Sequence, residues 1–94
     1  MANDLLIVNI LAKDKTIFHE NVTAITSYNE QGVFDILVEH TNFITVIKDK
    51  IIIHKMDGTD KEIKIDNGVL RVIKNKVDVF IGLLNVESAA VASI

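Results

Sequence analysis

The sequence predicts an all-β domain, and three observations support this. Hydrophobic residues make up 49% of the 94-residue chain, but only 5% of it is aromatic, so aliphatic side chains must fill the core. Many of these side chains branch at Cβ, which restricts helical rotamers and suits a pleated strand. Turn residues interrupt the apolar runs at short intervals. This pattern favours an antiparallel β-sandwich or flattened barrel of about eight to ten short strands, followed by a short helical or disordered tail.

Charge and composition exclude several classes of protein. The formal net charge is −3, and no basic stripe that could neutralise phosphates is present, so we expect no nucleic-acid partner. The chain lacks Cys, which excludes disulfides and thiolate metal sites. The apolar run at 5–12 is too short for a signal peptide or a membrane span. We therefore expect a soluble single domain that reaches a membrane only through a partner.

Period-2 alternation and turn residues locate the elements. Asp57-Gly58 and Asn67-Gly68 are strong hairpin signals, because the turn of a two-residue hairpin needs positive φ. Lys48-Asp49 is a further predicted two-residue turn, Asn75 turns the chain once more, and Gly82 ends the last strand. The predicted strands cover residues 5–11, 16–19, 22–28, 33–37, 43–47, 50–55, 61–66, 69–74 and 77–81.

Alternation also predicts which side chains face the core. Leu6, Val8 and Ile10 share one face of the first strand, and Ile63 and Ile65 point inward on a later one. Some large apolar residues lie out of phase with these inward sets. Either both faces of a central strand are covered, or these residues form an apolar docking patch. The out-of-phase residues are Leu5, Ile7, Val69, Ile73 and Phe80.

A central segment has the most specific pattern. Residues 31–43 read Q-G-V-F-D-I-L-V-E-H-T-N-F, and F-I-T-V-I-K follows from Phe43. Later come D-N-G-V-L-R-V at 66–72 and N-K-V-D-V at 75–79. In order and spacing these segments resemble the amino-terminal β-sandwich domain of the epsilon subunit of F-type ATP synthases. The resemblance extends over residues 5–84, so we expect an epsilon-like domain at 1–84 and a tail at 85–94.

The chain departs from the family pattern at several points. Asp35 replaces a usual glycine, and Val38 and Asn42 stand where prolines are common, so the central bend is expected to be less rigid. Family members often carry a carboxy-terminal helical hairpin that can inhibit hydrolysis and bind ATP, and the 94 residues leave no room for it. We therefore expect neither autoinhibition nor a nucleotide site in this chain.

The resemblance implies a non-catalytic part of the synthase rotor. The sandwich would link the gamma subunit to the c-ring at the cytoplasmic face of the plasma membrane, without a cofactor or small-molecule substrate. One sandwich face would hold gamma through the out-of-phase apolar residues. The polar c-ring loops would contact two loops of this chain, and His40 matches the family histidine there. The expected c-ring contact residues are Glu30, Gln31, Gly32, Val33, Glu39 and His40.

The residues themselves indicate little chemistry. His19, His40 and His54 lack the spacing of a zinc site, and the Asp57–Asp60 segment fits no calcium loop. Two alternatives remain. A free-standing β-sandwich binding module could have kept the fold and lost the synthase. A small enzyme using His40 with Glu39 is a remote alternative, because adjacent residues on a strand or bend point apart.

Overall fold

The computed structural model describes residues 5–13 and 15–82, and all of its regular elements are strands. The predicted tail at 85–94 lies outside these residues. The first three strands end at a short connection before residue 32, and the longest two follow the polar bend. The strands are β1 (Leu6–Ala12), β2 (Lys15–Val22), β3 (Ala24–Asn29), β4 (Gly32–Leu37), β5 (Phe43–His54), β6 (Asp60–Ile73) and β7 (Lys76–Gly82).

The seven strands form one hydrogen-bonded sheet in the order β2-β1-β7-β6-β5-β3-β4. The all-β sandwich prediction is confirmed, although the described residues form seven strands instead of eight to ten. One pair, β1 with β7, is parallel, whereas the others are antiparallel. The sheet is therefore mixed, because β1 lies beside β7 and runs in the same direction.

The strand count differs because β5 and β6 do not break where turns were predicted. The predicted turns at Lys48-Asp49 and Asn67-Gly68 are wrong: both sites lie inside continuous strands that pair along their whole length. The register shifts between Lys48 and Asp49, and Asp49 has a φ of 72°. The turn-forming residues thus mark a bulged corner, where the β5–β6 hairpin passes from one layer of the sandwich to the other.

The bulge also switches the inward phase of β6. Lys48 pairs with Asn67 and Asp49 pairs with Ile65, which leaves Asp66 as the extra residue. Before it, odd-numbered residues such as Ile63 and Ile65 pack against the core, as predicted. After it, even-numbered residues such as Leu70 face inward. A one-residue insertion reverses the faces because side chains alternate with period 2.

Close packing at the corner depends on small residues. A Cβ on Gly68 would lie 2.8 Å from the carbonyl oxygen of Phe80. Any larger residue at this position would therefore prevent the close approach of β6 and β7. On the neighbouring strand, the buried hydroxyl of Ser27 donates a hydrogen bond to the Lys50 carbonyl oxygen at 2.8 Å. This bond satisfies a backbone group where the β3–β5 register is broken.

Two predicted turns are confirmed. The Asp57-Gly58 turn joins β5 to β6, and Gly58 has a φ of 88°. The β6–β7 hairpin turns at Lys74 and Asn75, both with positive φ. The core between the layers is aliphatic, as predicted, and receives inward side chains from all seven strands. Its buried members are Leu6, Val8, Ile10, Ala12, Phe18, Val22, Ile25, Ile36, Ile47, Ile51, Ile53, Leu70, Val72, Val77, Val79 and Ile81.

Candidate interaction surfaces

The bulged corner divides the sheet into two layers. The first layer comprises β2, β1 and β7 with residues 67–73 of β6 and 43–48 of β5. The second layer comprises the remaining halves of β5 and β6 with β3 and β4. Each layer turns one face to the core and one outer face away from it, and the two outer faces carry the candidate contacts.

The outer face of the first layer has an apolar row across four strands. Paired residues lie side by side on one face of a sheet. Leu11 pairs with Phe80, Phe80 with Val69, and Val69 with Val46. Ile7 and Ile73, each paired with Lys76, add a second group on the same face. The row is therefore continuous from β1 to β5.

The structure brings together four of the five residues predicted to face gamma. Ile7, Val69, Ile73 and Phe80 are exposed on this outer face, from 39% at Val69 to 46% at Ile73. Leu5 precedes β1 and is half-buried. The alternation argument identified these residues correctly as apolar and out of phase with the core. Their contact with gamma remains a prediction.

An ion pair lies between the two apolar groups. The Arg71 Nη2 donates a hydrogen bond to Asp78 Oδ2 at 2.8 Å, and the guanidinium stands 5.6 Å from the centre of the Phe80 ring. Asp78 is only 6% exposed, whereas the Arg71 side chain remains partly open to solvent. The Arg71 Nε is buried and makes no hydrogen bond. Arg71 thus covers a desolvated carboxylate that lies between the two apolar groups.

The sequence analysis missed this pair, although a signal was available. Once the chain turns at Lys74 and Asn75, counting outward from the turn pairs Arg71 with Asp78 directly. Opposite charges on directly paired residues of an antiparallel hairpin attract each other across the strands. The turn prediction at Asn75 therefore contained enough information to find the pair.

The residues predicted to contact the c-ring occupy two loops at opposite ends of β4. Glu30 and Gln31 form the β3–β4 turn, with Gly32 and Val33 opening β4, and Gly32 has a φ of 120°. Glu39 and His40 lie in the β4–β5 bend, where Glu39 has a φ of 67°. His40 is half-buried and the other five residues are exposed, and their contact with the c-ring remains a prediction.

Phe43 connects the two loops. Its ring lies 5.3 Å from the His40 ring and 5.8 Å from the Phe34 ring, measured between ring centres. Phe43 also lines an open groove of ≈ 510 Å³ whose other walls include Glu30 and Gln31. Both loops therefore border the start of β5, even though β4 separates them along the chain.

Two of the positions that depart from the family pattern make specific hydrogen bonds. The Asn42 Oδ1 accepts a hydrogen bond from the Lys74 backbone N–H at 3.2 Å, which ties the bend to the β6–β7 turn. Asn75 Oδ1 accepts one from the Glu39 N–H at 2.6 Å. Asp35 accepts one from the Thr26 hydroxyl, and Val38 packs against the core. Side-chain hydrogen bonds thus anchor a bend that lacks proline.

Polar side chains on the outer face of the second layer are largely paired with one another, although Val33 and Leu37 are exposed on the same face. Lys50 Nζ lies 2.8 Å from Glu62 Oε2. This hydrogen bond and the attraction between the charges raise the pKa of Lys50 and lower the pKa of Glu62. Exposed pairs of this kind contribute little to stability, but they leave few charges for a partner to satisfy.

A chain of hydrogen bonds crosses the same face. His54 Nδ1 lies 2.9 Å from Asp60 Oδ1, and its Nε2 lies 2.7 Å from the Thr26 hydroxyl. That hydroxyl donates to Asp35 Oδ1 at 2.6 Å. All three contacts are hydrogen bonds at once when both ring nitrogens carry a proton. The sequence analysis did not find this chain, because its members are far apart in sequence and meet only through strand pairing.

Among residues 5–13 and 15–82, no group of three or more His, Asp or Glu side chains is placed to hold a metal ion. The same part of the chain contains no helix long and apolar enough to cross a membrane. His19 is exposed on β2, and His40 Nδ1 lies 2.7 Å from the Thr41 carbonyl oxygen.

The fold is a β-sandwich domain with a row of exposed apolar residues on one outer face. A family model described as "ATP synthase, Delta/Epsilon chain, beta-sandwich domain" matches residues 5–82, and the chain belongs to this family. The resemblance inferred from the sequence is thereby confirmed. A search among curated protein sequences finds no match.

Solved structures from two organisms share the fold. A chain from the Euglena gracilis mitochondrial ATP synthase, in a structure of its OSCP, F1 and c-ring, aligns with a TM-score of 0.78 at 21% identity over 83% of this chain. A chain from the Tetrahymena thermophila mitochondrial ATP synthase central stalk and c-ring aligns at 0.66 and 13% over 82%. The alignments cover 51% and 63% of those chains, so this chain matches about half to two thirds of their length.

Proposed function

We propose that this chain is an epsilon-like subunit of the central stalk of an F-type ATP synthase, where it joins the gamma subunit to the c-ring and transmits rotation. The observation that carries the proposal is the exposed apolar row on the outer face of the first layer, in a chain of the synthase family. An exposed row of large apolar side chains is typical of a surface that another protein covers.

The gamma subunit is the proposed occupant of that outer face. A lasting stalk contact needs a large and mostly apolar interface, because obligate interfaces resemble a domain core cut in half. The row Leu11–Phe80–Val69–Val46 would form the apolar centre of such an interface. The rotor role requires stiffness and two durable contacts, and it needs no reactive group.

The two loops at the start of β5 are the proposed c-ring contacts. Glu30 and Gln31 are polar and exposed, and Glu39 is exposed in the bend. The His40 ring packs against the Phe43 ring, with 5.3 Å between the ring centres. Exposed polar side chains of this kind suit contact with the polar c-ring loops, which lie at the membrane surface. The chain would thus associate with a membrane peripherally, through the synthase.

Binding to the gamma subunit from the same source tests the proposal. We expect a stable complex with the wild-type chain by isothermal titration calorimetry. Val69→Lys places a charge in the middle of the apolar row, and burying an unpaired charge in an interface costs several kcal/mol, so affinity should fall by about a hundredfold or more.

Leu37→Lys is the matched control, because Leu37 is also an exposed apolar residue but lies on the outer face of the second layer. We expect this variant to bind gamma as the wild type does. Absence of binding by the wild-type chain would refute the proposal and favour a free-standing binding module. Equal losses for both variants would refute the choice of face.

A further inference from the structure

The first half of β5 is an unpaired strand edge. Residues 43–47 pair with β6 on one side. On the other side, β3 reaches β5 only from Lys48 onward. A strand edge exposes backbone N–H and C=O groups that can pair with another strand. The edge is about 16 Å long at roughly 3.3 Å per residue.

The register identifies which backbone groups are free. The two-residue turn at Lys74 and Asn75 closes on the Ile73–Lys76 pair, and such closing pairs are hydrogen-bonded. Hydrogen-bonded pairs alternate along an antiparallel ladder. In β6, even-numbered residues therefore bond to β5, through Phe43, Thr45 and Ile47. The N–H and C=O groups of Ile44 and Val46 consequently point toward the open side. There the Val46 carbonyl oxygen accepts a long hydrogen bond from the Thr45 hydroxyl, at 3.4 Å.

The same counting from the other hairpin gives a consistent result. The β3–β4 turn closes on Asn29 and Gly32, so the even-numbered residues of β3 bond to β5. Tyr28 pairs with Lys48, which is the next even-numbered residue of β5 after Val46. The free N–H and C=O groups of Ile44 and Val46 thus lie on the same edge of β5 that bonds to β3 from Lys48 onward.

Other open edges in the described part of the chain are protected. The first half of β6, residues 60–66, carries five charged side chains, at Asp60, Lys61, Glu62, Lys64 and Asp66. The outer edge of β2 has a bulge opposite β1. β4 is only six residues long and carries Asp35. Charges, bulges and short length are the usual protections against unwanted strand pairing.

Of these protections, the β5 edge has only its short length. Residues 43–47 read F-I-T-V-I, without a charge, a proline or a bulge. Ile44 is 67% exposed and Val46 is 65% exposed, and both lie on the outer face. An uncharged edge rich in β-branched residues is an aggregation hazard unless another segment covers it.

The space beside this edge suits an added strand. The open groove of ≈ 510 Å³ is bounded by Phe43, Thr45 and Val46 on one side and by the β3–β4 turn on the other. Asn29 and Gln31 line the wall facing β5, and Asn29 Nδ2 donates a hydrogen bond to Thr45 Oγ1 at 3.2 Å. A strand laid here would turn alternate side chains toward the groove and toward the outer face.

We propose that an extended segment of the partner that covers the outer face of the first layer adds to residues 43–47 of β5 as a further strand. This inference rests on the proposed function, because Val46 is both the end of the apolar row and a member of the open edge. The guest strand carries apolar side chains beside Ile44 and Val46, and polar or small side chains toward the groove.

Amide hydrogen exchange on the isotopically labelled wild-type chain tests the inference directly. In the free chain, the amides of Ile44 and Val46 exchange faster than that of Thr45, which is bonded to β6. Adding the gamma subunit slows both edge amides by about tenfold or more, as expected for amides that enter a ladder. Unchanged exchange in a formed complex would overturn the inference and leave the proposed function standing.

A pair of proline variants provides the second measurement. Val46→Pro removes one N–H from the open edge, where proline is tolerated. Lys64→Pro is the matched control. The Lys55 N–H bonds to the Thr59 carbonyl, so counting by twos along the β5–β6 ladder makes the odd-numbered residues of this half of β6 the ones that bond to β5. The Lys64 N–H therefore points away from β5, on a protected edge. We expect Val46→Pro to weaken gamma binding by at least about tenfold and Lys64→Pro to leave it unchanged.

A displayed library of random short peptides separates the inference from the identity of the partner. Peptides selected on the wild-type chain should bind Lys64→Pro and fail to bind Val46→Pro. Selection of no peptide, or equal binding to Val46→Pro, would overturn the inference. Failure of gamma alone to bind the wild-type chain would instead refute the proposed function, because the peptide measurement does not use gamma.

Discussion

The two outer faces of the sandwich are built by the same strand alternation, but they differ in how completely their polar side chains are paired within the face. The second layer carries paired groups, including the Lys50–Glu62 ion pair and the chain from Asp60 through His54 to Thr26. The first layer carries an apolar row with one partly open pair, Arg71–Asp78. A face whose polar groups are paired internally gains little from a partner, whereas an apolar face gains by being covered.

Deleting Asp66 should have the largest effect, because it would remove the residue that sets which side chains of β6 face the core. Without the bulge, Leu70 and Val72 would turn outward and Arg71 would turn inward. We expect no cooperatively folded protein, as judged by the loss of the thermal transition in circular dichroism. Asp66→Asn keeps the residue count and should melt near the wild-type temperature; a folded deletion variant would contradict the phase argument.

Arg71→Met tests the ion pair on the first layer. The substitution leaves the Asp78 carboxylate buried without its partner, so the free energy of unfolding should fall by about 3 kcal/mol. The double variant Arg71→Met/Asp78→Leu removes both charges and should return to within about 1 kcal/mol of the wild type. Urea unfolding measures both values. If the double variant is as unstable as the single one, the loss comes from packing and not from the unpaired charge.

Thr26→Val tests the hydrogen-bonded chain on the second layer. The hydroxyl contacts both Asp35 and His54, and valine keeps the shape of the side chain without these bonds. We expect a loss of about 1 kcal/mol in the free energy of unfolding. Thr16→Val is the control, since Thr16 makes no side-chain hydrogen bond among the described residues. Equal stability of the two variants would show that the hydrogen bonds of Thr26 add nothing to the free energy of unfolding.

Glu62→Gln should have the smallest effect, and that effect should depend on pH. Because the hydrogen bond from Lys50 lowers the pKa of Glu62 below its ordinary 4.5, the pair stabilises the fold above that value. The stability difference from the wild type should vanish as the pH falls through the folded-state pKa of Glu62. It should also decline at alkaline pH, as Lys50 loses its proton. Urea unfolding across pH at low salt measures it, and a constant difference would contradict the linkage.

Local alternation made the core and the apolar row predictable. The inward phase of β1 and the outward phase of Val69, Ile73 and Phe80 follow from period-2 alternation within each strand. The Asp57-Gly58 turn follows from the φ preference of glycine. The same local signal at Asn67-Gly68 misled the prediction, because glycine also serves where two strands approach closely.

Pairing between distant segments decided the rest. Nothing near Phe43–Ile47 in the sequence shows that β3 stops pairing before it reaches those residues. The open edge of β5 and the hydrogen bonds of His54 therefore could not be predicted from the sequence.

The sequence by itself determined an aliphatic all-β domain, its family and the inward phase of most strands, since these depend on residue type and on spacing within one strand. Tertiary structure alone decided the parallel β1–β7 pair, the continuity of β5 and β6 through the corner, and which edge stays open. The physical reason is that a strand's hydrogen bonds lie in the sheet plane and are completed by whichever segment the fold brings alongside.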